Sequence, residues 1–120
     1  MVDKIREICN SRVTIDDNII KVSEDSNLIE NNQLQTKDIF SDKWEEVSKI
    51  DNVEKLYETQ FAWFLDLYGF KSEEQLGDYL RTKKIILDTG CGLGYKAAWF
   101  AKLAPESLVI GIDISDAVLI

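Results

Sequence analysis

Three glycines and two carboxylates mark the one stretch of the chain whose residue types suggest ligand chemistry. Gly90, Gly92 and Gly94 are three of the chain's 6 glycines, and they alternate directly after an apolar run that ends at Asp88. Ordering a glycine costs more conformational entropy than ordering any other residue, so this spacing indicates backbone that a ligand approaches closely. These glycines form a loop, which we call the glycine loop, directly before a segment with helical spacing. A helix N-terminus offers free N–H groups and a dipole that favour electron-rich groups.

The glycine spacing and a second acidic residue narrow the ligand to a nucleoside-type cofactor. The dinucleotide fingerprint G-x-G-x-x-G needs a small residue where this chain has Tyr95, which disfavours a nicotinamide dehydrogenase. The second carboxylate, Asp113, ends the next apolar run about 20 positions beyond Gly94, a spacing at which a carboxylate accepts hydrogen bonds from ribose hydroxyls. A glycine turn that only packs a helix on a sheet would leave Asp88 and Asp113 unexplained.

The elements around the loop predict the α/β fold class. "KKIILD" and "SLVIGIDIS" are short, continuous apolar runs, and "YKAAWFAKLA" between them has helical spacing. Strands that are apolar on both faces and joined by a helix are typical of a βαβ unit in a parallel sheet. Residues 83–120 therefore read as one such unit.

Residues 37–82 predict a helical cap beside that sheet. Gly69 is a stop signal for a long amphipathic helix, and Ser72 with Gln75 has the spacing of a capping box at the next one. The cap carries a stripe of aromatic residues, which is either core or a ring-stacking surface for a ligand. The stripe consists of Trp44, Tyr57, Phe61, Trp63, Phe64, Tyr68 and Phe70.

Residues 1–36 form a polar leader. The segment from Arg12 to Val22 has two β-prone runs around Asp16, Asp17 and Asn18, which indicates a hairpin. The Asn- and Ser-rich stretch after it, residues 23–36, reads as loop or linker.

Composition excludes several classes of function. The chain has no histidine and 2 cysteines, Cys9 and Cys91, which stand far apart, so we predict no metal site and no histidine-based catalysis. Its 14 basic and 22 acidic residues give a net charge of -8 without a basic stripe, which argues against nucleic acid as a ligand. We find no signal peptide and no apolar run of membrane-spanning length, so we expect a cytoplasmic protein without membrane contact.

The segment "IILDTGCGLGYKAAWFAKLAPESLVIGIDIS" resembles the first motif and second strand of class I S-adenosylmethionine-dependent methyltransferases, over about residues 83–118. The resemblance implies the N-terminal part of a Rossmann-like sheet with S-adenosylmethionine as cofactor. It places the loop against the methionine and ribose of the cofactor, Asp88 near the methionine amino group, Asp113 on the ribose and Ile114 beside the adenine. The implied cofactor-binding residues are Asp88, Gly90, Cys91, Gly92, Gly94, Asp113 and Ile114.

Two further expectations concern particular residues of this chain. Cys91 is either a thiol activated by the helix N-terminus or a small residue that fills the turn, and the resemblance favours the second. The stretch "QTKDIFSDKW" is similar to methyltransferases that carry an N-terminal zinc ribbon. If that likeness holds, the leader is a ribbon that has lost its metal ligands, and the alternative is an unrelated polar leader.

The resemblance covers only the start of a methyltransferase domain. We therefore expect a methyltransferase fragment that is not competent alone, with unassigned catalytic residues and an unknown small-molecule acceptor. The alternative is a non-catalytic, truncated module that acts as a dimer or a partner subunit. In either case the apolar faces of the two strands need cover, which the helical cap, self-association or lost sequence would supply.

Overall fold

The computed structural model describes residues 31–115, the strand residues 13–16 and 19–22, and residues 3 and 7. Cys9, residues 17–18 of the predicted hairpin and residues 116–120 lie outside the described residues. The fold is mixed α/β, as the sequence predicts. In chain order its described strands and longer helices are β1 (Val13–Asp16), β2 (Ile19–Val22), α1 (Asn31–Ser48), α2 (Val53–Leu67), α3 (Glu73–Arg81), β3 (Ile85–Thr89), α4 (Tyr95–Leu103) and β4 (Leu108–Ile112).

Strands β3 and β4 form a parallel pair joined through α4, which confirms the predicted strand–helix–strand unit. Ile85 pairs with Leu108 at one end of the ladder, and Thr89 pairs with Ile112 at the other. Because parallel strands share a direction, the carboxyl ends of β3 and β4 lie at the same edge of the sheet. The glycine loop and Asp113 are therefore neighbours in space.

The leader is only partly as predicted. β1 and β2 pair antiparallel, with Asp16 opposite Ile19, which confirms the hairpin pairing. The interpretation of residues 23–36 as loop is wrong over residues 31–36, because α1 begins at Asn31. Residues 31–36 are polar apart from Leu34 and contain neither glycine nor proline, so nothing interrupts a helix that continues into the apolar residues of the cap.

The C-terminus of α2 and the N-terminus of α3 follow the predicted signals. Gly69 adopts a left-handed φ of 73°, and Phe70 N donates to Leu65 O at 2.8 Å, closing a Schellman-type end for α2. The Ser72 side chain accepts from Gln75 N at 3.1 Å. In return Gln75 Oε1 accepts from the Lys71 N–H at 2.6 Å, so the capping arrangement reaches one residue further back than usual.

The core lies between α3 and α4 and rests on one face of the two-stranded sheet. Its buried members are Leu76, Leu80, Trp99, Phe100 and Ala104. Trp99 Nε1 donates to the Glu73 carboxylate at 2.7 Å and ties α4 to the start of α3. The opposite face of the sheet leaves Ile85, Leu87 and Ile112 exposed. None of the described helices combines the length and the apolar character needed to cross a membrane.

Candidate functional site

The glycine loop has a backbone shape that requires its glycines. Gly90, Gly92 and Gly94 have φ values of 69°, 55° and 79°, in the left-handed region that other residues rarely adopt. Gly90 N and Cys91 N donate to Ile112 O at 2.7 and 3.0 Å, which anchors the loop to the end of β4. The loop is thus a fixed turn between β3 and the N-terminus of α4.

The three glycines differ in what lies beside them. A Cβ at Gly92 would sit 2.6 Å from Cζ2 of Trp44, so the indole of α1 packs directly on this glycine. A Cβ at Gly90 or Gly94 would meet no atom within 4 Å. The loop therefore offers open space at Gly90 and Gly94, whereas the face of Gly92 is covered by a tryptophan from the cap.

Asp88 is a buried carboxylate with one unused oxygen. Its side chain is 4% exposed, and its Oδ1 lies 2.8 Å from Lys96 Nζ, whose side chain is 41% exposed. Its Oδ2 is buried and has no hydrogen-bond partner among the described residues. A buried carboxylate oxygen without a donor costs free energy, so this position favours a ligand that brings a cation or an N–H group.

Asp113 turns toward the loop, as its predicted role requires. Its Oδ2 accepts from Gly92 N at 2.8 Å, and its Oδ1 accepts from Ser115 N and Oγ at 2.8 and 2.5 Å. Burial alone would raise the pKa of Asp113, but hydrogen bonds from Ser115, Gly92 and Ile114 outweigh it and lower the pKa below 3.8. The carboxylate is therefore ionised at neutral pH and holds the loop in place.

Cys91 fills space at the turn. A Cβ added to Gly111 would lie 2.9 Å from its Sγ, so the thiol packs against the backbone of β4. Burial, followed by the negative charges of Asp113 and Asp88, raises the pKa of the Cys91 thiol above 9.0. The thiol is protonated at neutral pH, which favours the packing role over a reactive one.

Two cavities open beside the loop, and both contact Gly90 and Trp44. The first, which we name the β4 cavity, has a volume of about 550 Å³. It is lined by Thr36, Phe40, Trp44, Gly90, Ile112, Asp113 and Ile114. The second, the aromatic cavity, has a volume of about 480 Å³ and lies between α2 and the start of α4. Its lining includes Tyr57, Phe61, Trp63, Tyr68, Tyr95 and Lys96.

The structure brings all the predicted site residues to one edge of the sheet. Asp88 and the loop from Gly90 to Gly94 stand at the end of β3, with Asp113 and Ile114 beside them after β4. Sequence reasoning missed Lys96 as the partner of Asp88. A lysine in the first turn of a helix opposes the helix dipole, and that mismatch is a signal of a nearby carboxylate.

Apart from Trp44, which packs on Gly92, the aromatic stripe of the cap divides into two groups. Tyr57 is buried, and Phe61, Phe64 and Phe70 are half-buried near the core, as the core interpretation predicts. Trp63 and Tyr68 are each 63% exposed, which the core interpretation does not explain. Burial raises the pKa of the Tyr57 phenol, and the charge of the Tyr95 phenol and a side-chain hydrogen bond with it add to the rise; the two rings stack at a centroid distance of 3.6 Å.

Comparison with known proteins identifies one local similarity. The chain is 47% identical over 34 residues to an uncharacterized phycocyanin operon protein W from Pseudanabaena tenuis. The match covers 28% of this chain and 32% of that protein, so it spans about a third of the relative's length. No family model matches the chain. No solved structure matches it.

Proposed function

We propose that β3, the glycine loop, α4 and β4 form the cofactor-binding part of a Rossmann-like class I methyltransferase fold, with S-adenosylmethionine as cofactor. The observation that carries the proposal is the buried Oδ2 of Asp88, which has no partner among the described residues and stands two positions before Gly90, a glycine with open space at its Cβ position. That oxygen suits the ammonium of the cofactor's methionine part, because a charged donor would satisfy it. When bound, the cofactor supplies an electrophilic methyl group on a sulfonium.

The β4 cavity fits the nucleoside end of the same molecule. Its volume of about 550 Å³ lies in the range of small-molecule sites, and it joins the loop at Gly90 to Asp113 and Ile114. Asp113 is ionised and lines the cavity. Its carboxylate can accept hydrogen bonds from ribose hydroxyls if these replace the hydrogen bonds that Ser115 donates to it. Ile114 is exposed and offers an apolar contact for the adenine.

The two described strands of this sheet provide only part of a transfer site. Methyl transfer depends on holding the acceptor atom and the methyl group in line. We propose that this chain binds the cofactor without turning over an acceptor by itself. The remaining walls and the catalytic groups come from outside the described residues, and the acceptor is a small molecule.

Calorimetric titration with S-adenosylmethionine, S-adenosylhomocysteine and NAD tests the proposal. We expect both adenosyl ligands to bind and NAD to give no heat, because Tyr95 stands where the dinucleotide motif needs a small residue. Binding of NAD alone would replace the proposal with a dehydrogenase. Absence of heat from all three ligands would refute cofactor binding by this chain.

The exposed face of the sheet supports a second candidate, a non-catalytic module that acts as a dimer or partner subunit. Ile85, Leu87 and Ile112 form an apolar surface of the kind that marks an interaction site. The name of the Pseudanabaena relative states no activity, so it favours neither candidate. Analytical sedimentation of the wild type and of Leu87→Lys discriminates between the two candidate functions. A dimer that the variant abolishes, together with absent cofactor binding, would favour the module.

A further inference from the structure

The aromatic cavity is an unassigned concave site next to the glycine loop. It has about 480 Å³ of space, enough for a molecule of one or two rings, and it shares Gly90 and Cys91 with the proposed cofactor site. Small-molecule sites are typically apolar and aromatic with a few polar groups. The lining of this cavity has that character, since rings from α2 face the first turn of α4.

Exposed rings at the cavity are the first reason to expect a ligand. Trp63 and Tyr68 are each 63% exposed, and Leu67 between them is also exposed. These three residues line the cavity without belonging to the core cluster, which is formed by other side chains. A contiguous apolar surface of this kind on a concave face is typical of a binding site.

A buried hydroxyl is the second, independent reason. Tyr57 lines the cavity at 6% exposure, and its buried hydroxyl has no partner in good hydrogen-bond geometry among the described residues, although the Tyr95 phenol interacts with it. A buried unsatisfied hydroxyl is unfavourable, so a ligand oxygen that pairs with it gains more than it would at a solvated hydroxyl. Lys96 also lines the cavity, and its ammonium, which is paired with Asp88, offers a further donor to a ligand oxygen.

We propose that the aromatic cavity binds a planar hydroxylated aromatic molecule, stacked on Trp63 and Tyr68 with its oxygen toward Tyr57 and Lys96. Flat rings on the lining favour a flat ligand, because offset stacking gains energy beyond the burial of area. The proposed binding of this molecule rests only on the shape and lining of the aromatic cavity. The role of this molecule as the methyl acceptor rests on the proposed function.

The test uses 2-naphthol as the probe and equilibrium dialysis of the full chain as the measurement. Decahydro-2-naphthol, which is similar in size but not planar, and naphthalene, which lacks the hydroxyl, serve as matched probes. We expect 2-naphthol to bind more tightly than both. Equal binding of the saturated and the aromatic alcohol would overturn the proposal, because the rings would then provide only apolar area.

Variants locate the probe. Trp63→Ala is expected to weaken 2-naphthol binding about three- to tenfold, the loss of one stacking contact. Tyr79→Ala removes an exposed ring on α3 that does not line the cavity, and it should leave the affinity unchanged. Tyr57→Phe should weaken 2-naphthol but not naphthalene. Circular dichroism confirms the fold of each variant, and unaltered affinity in Trp63→Ala would overturn the assignment.

Parallel titrations separate this proposal from the cofactor proposal. Binding of 2-naphthol without binding of S-adenosylmethionine supports the aromatic site and refutes the proposed cofactor. Binding of S-adenosylmethionine without binding of 2-naphthol refutes the aromatic site alone.

Discussion

Replacing Asp88 by asparagine tests the cofactor proposal at the atom that carries it. The substitution keeps the size of the side chain and removes its charge. Lys96, the partner of Asp88, is 41% exposed, so water can solvate its ammonium once the carboxylate is gone. We therefore expect Asp88→Asn to lower the free energy of unfolding by only about 1 kcal/mol, because an ion pair whose lysine is accessible to water contributes little.

The effect on cofactor binding should be much larger than the effect on stability. In the wild type the buried Oδ2 has no partner among the described residues, and a ligand ammonium would donate a charge-assisted hydrogen bond to it. Such a bond contributes about 1.5–3 kcal/mol, which corresponds to about ten- to hundredfold in the dissociation constant. Asparagine has no charge and only one acceptor oxygen, so its amide can accept from Lys96 or from the ligand ammonium, and its NH2 group must face the other cation.

Thermal unfolding with and without S-adenosylmethionine measures this loss. At a ligand concentration about 100 times the wild-type dissociation constant, binding adds about 2.7 kcal/mol to the free energy of unfolding. A variant that binds about 30-fold more weakly gains only about 0.9 kcal/mol at the same concentration. For a chain of this size the rise in Tm should therefore fall from about 10 °C to about 3 °C.

A matched control separates the local effect from the change in net charge. Asp66→Asn makes the same chemical change at an exposed carboxylate on α2 and should keep the full wild-type shift. If Asp88→Asn shows the same ligand-induced rise in Tm as the wild type, Oδ2 does not receive the ammonium and the proposed orientation is refuted.

Three further predictions follow from individual residues near the loop. Tyr57→Phe removes a buried hydroxyl that has no partner in good hydrogen-bond geometry among the described residues, so urea unfolding should show a gain of about 1 kcal/mol, and a loss would mean that its contact with Tyr95 is a stabilising hydrogen bond. Gly92→Ala and Gly90→Ala each cost about 1–2 kcal/mol for a left-handed backbone. Only Gly92→Ala also places a methyl about 2.6 Å from Trp44, so its loss of stability should be larger and partly recovered by adding Trp44→Ala; equal losses would contradict the packing. The lowered pKa of Asp113 means that its stabilisation is complete above its ordinary value of 3.8 and is lost as the pH falls through the lower folded-state pKa. The difference in unfolding free energy between wild type and Asp113→Asn should therefore shrink between pH 7 and about pH 3, and a constant difference would contradict this.

The sequence predicts the strand–loop–helix–strand unit well because its signals are local. Two apolar runs, three spaced glycines and a helical pattern determine a βαβ unit without reference to the rest of the chain. The convergence of Asp88 and Asp113 then follows from parallel pairing, which brings the carboxyl ends of both strands to one edge. What binds at that edge is not determined by these signals, and it stays a prediction.

Contacts between distant segments could not be predicted in the same way. The packing of Trp44 on Gly92 joins α1 to a loop far along the chain, and helical periodicity gives the face of a helix without its partner. The start of α1 at Asn31 was missed because polar composition is shared by loops and by exposed helices. The exposure of Trp63 and Tyr68 likewise depends on which neighbours cover α2.

The position of Trp44 makes the helical cap part of the candidate site. Its indole lies on Gly92, and both the β4 cavity and the aromatic cavity include Trp44 and Gly90 in their walls. A ligand that moves the indole in one cavity must therefore alter the wall of the other. By thermodynamic linkage, such an effect acts equally in both directions on the two affinities. Cofactor and aromatic ligand would then influence each other's binding through one side chain.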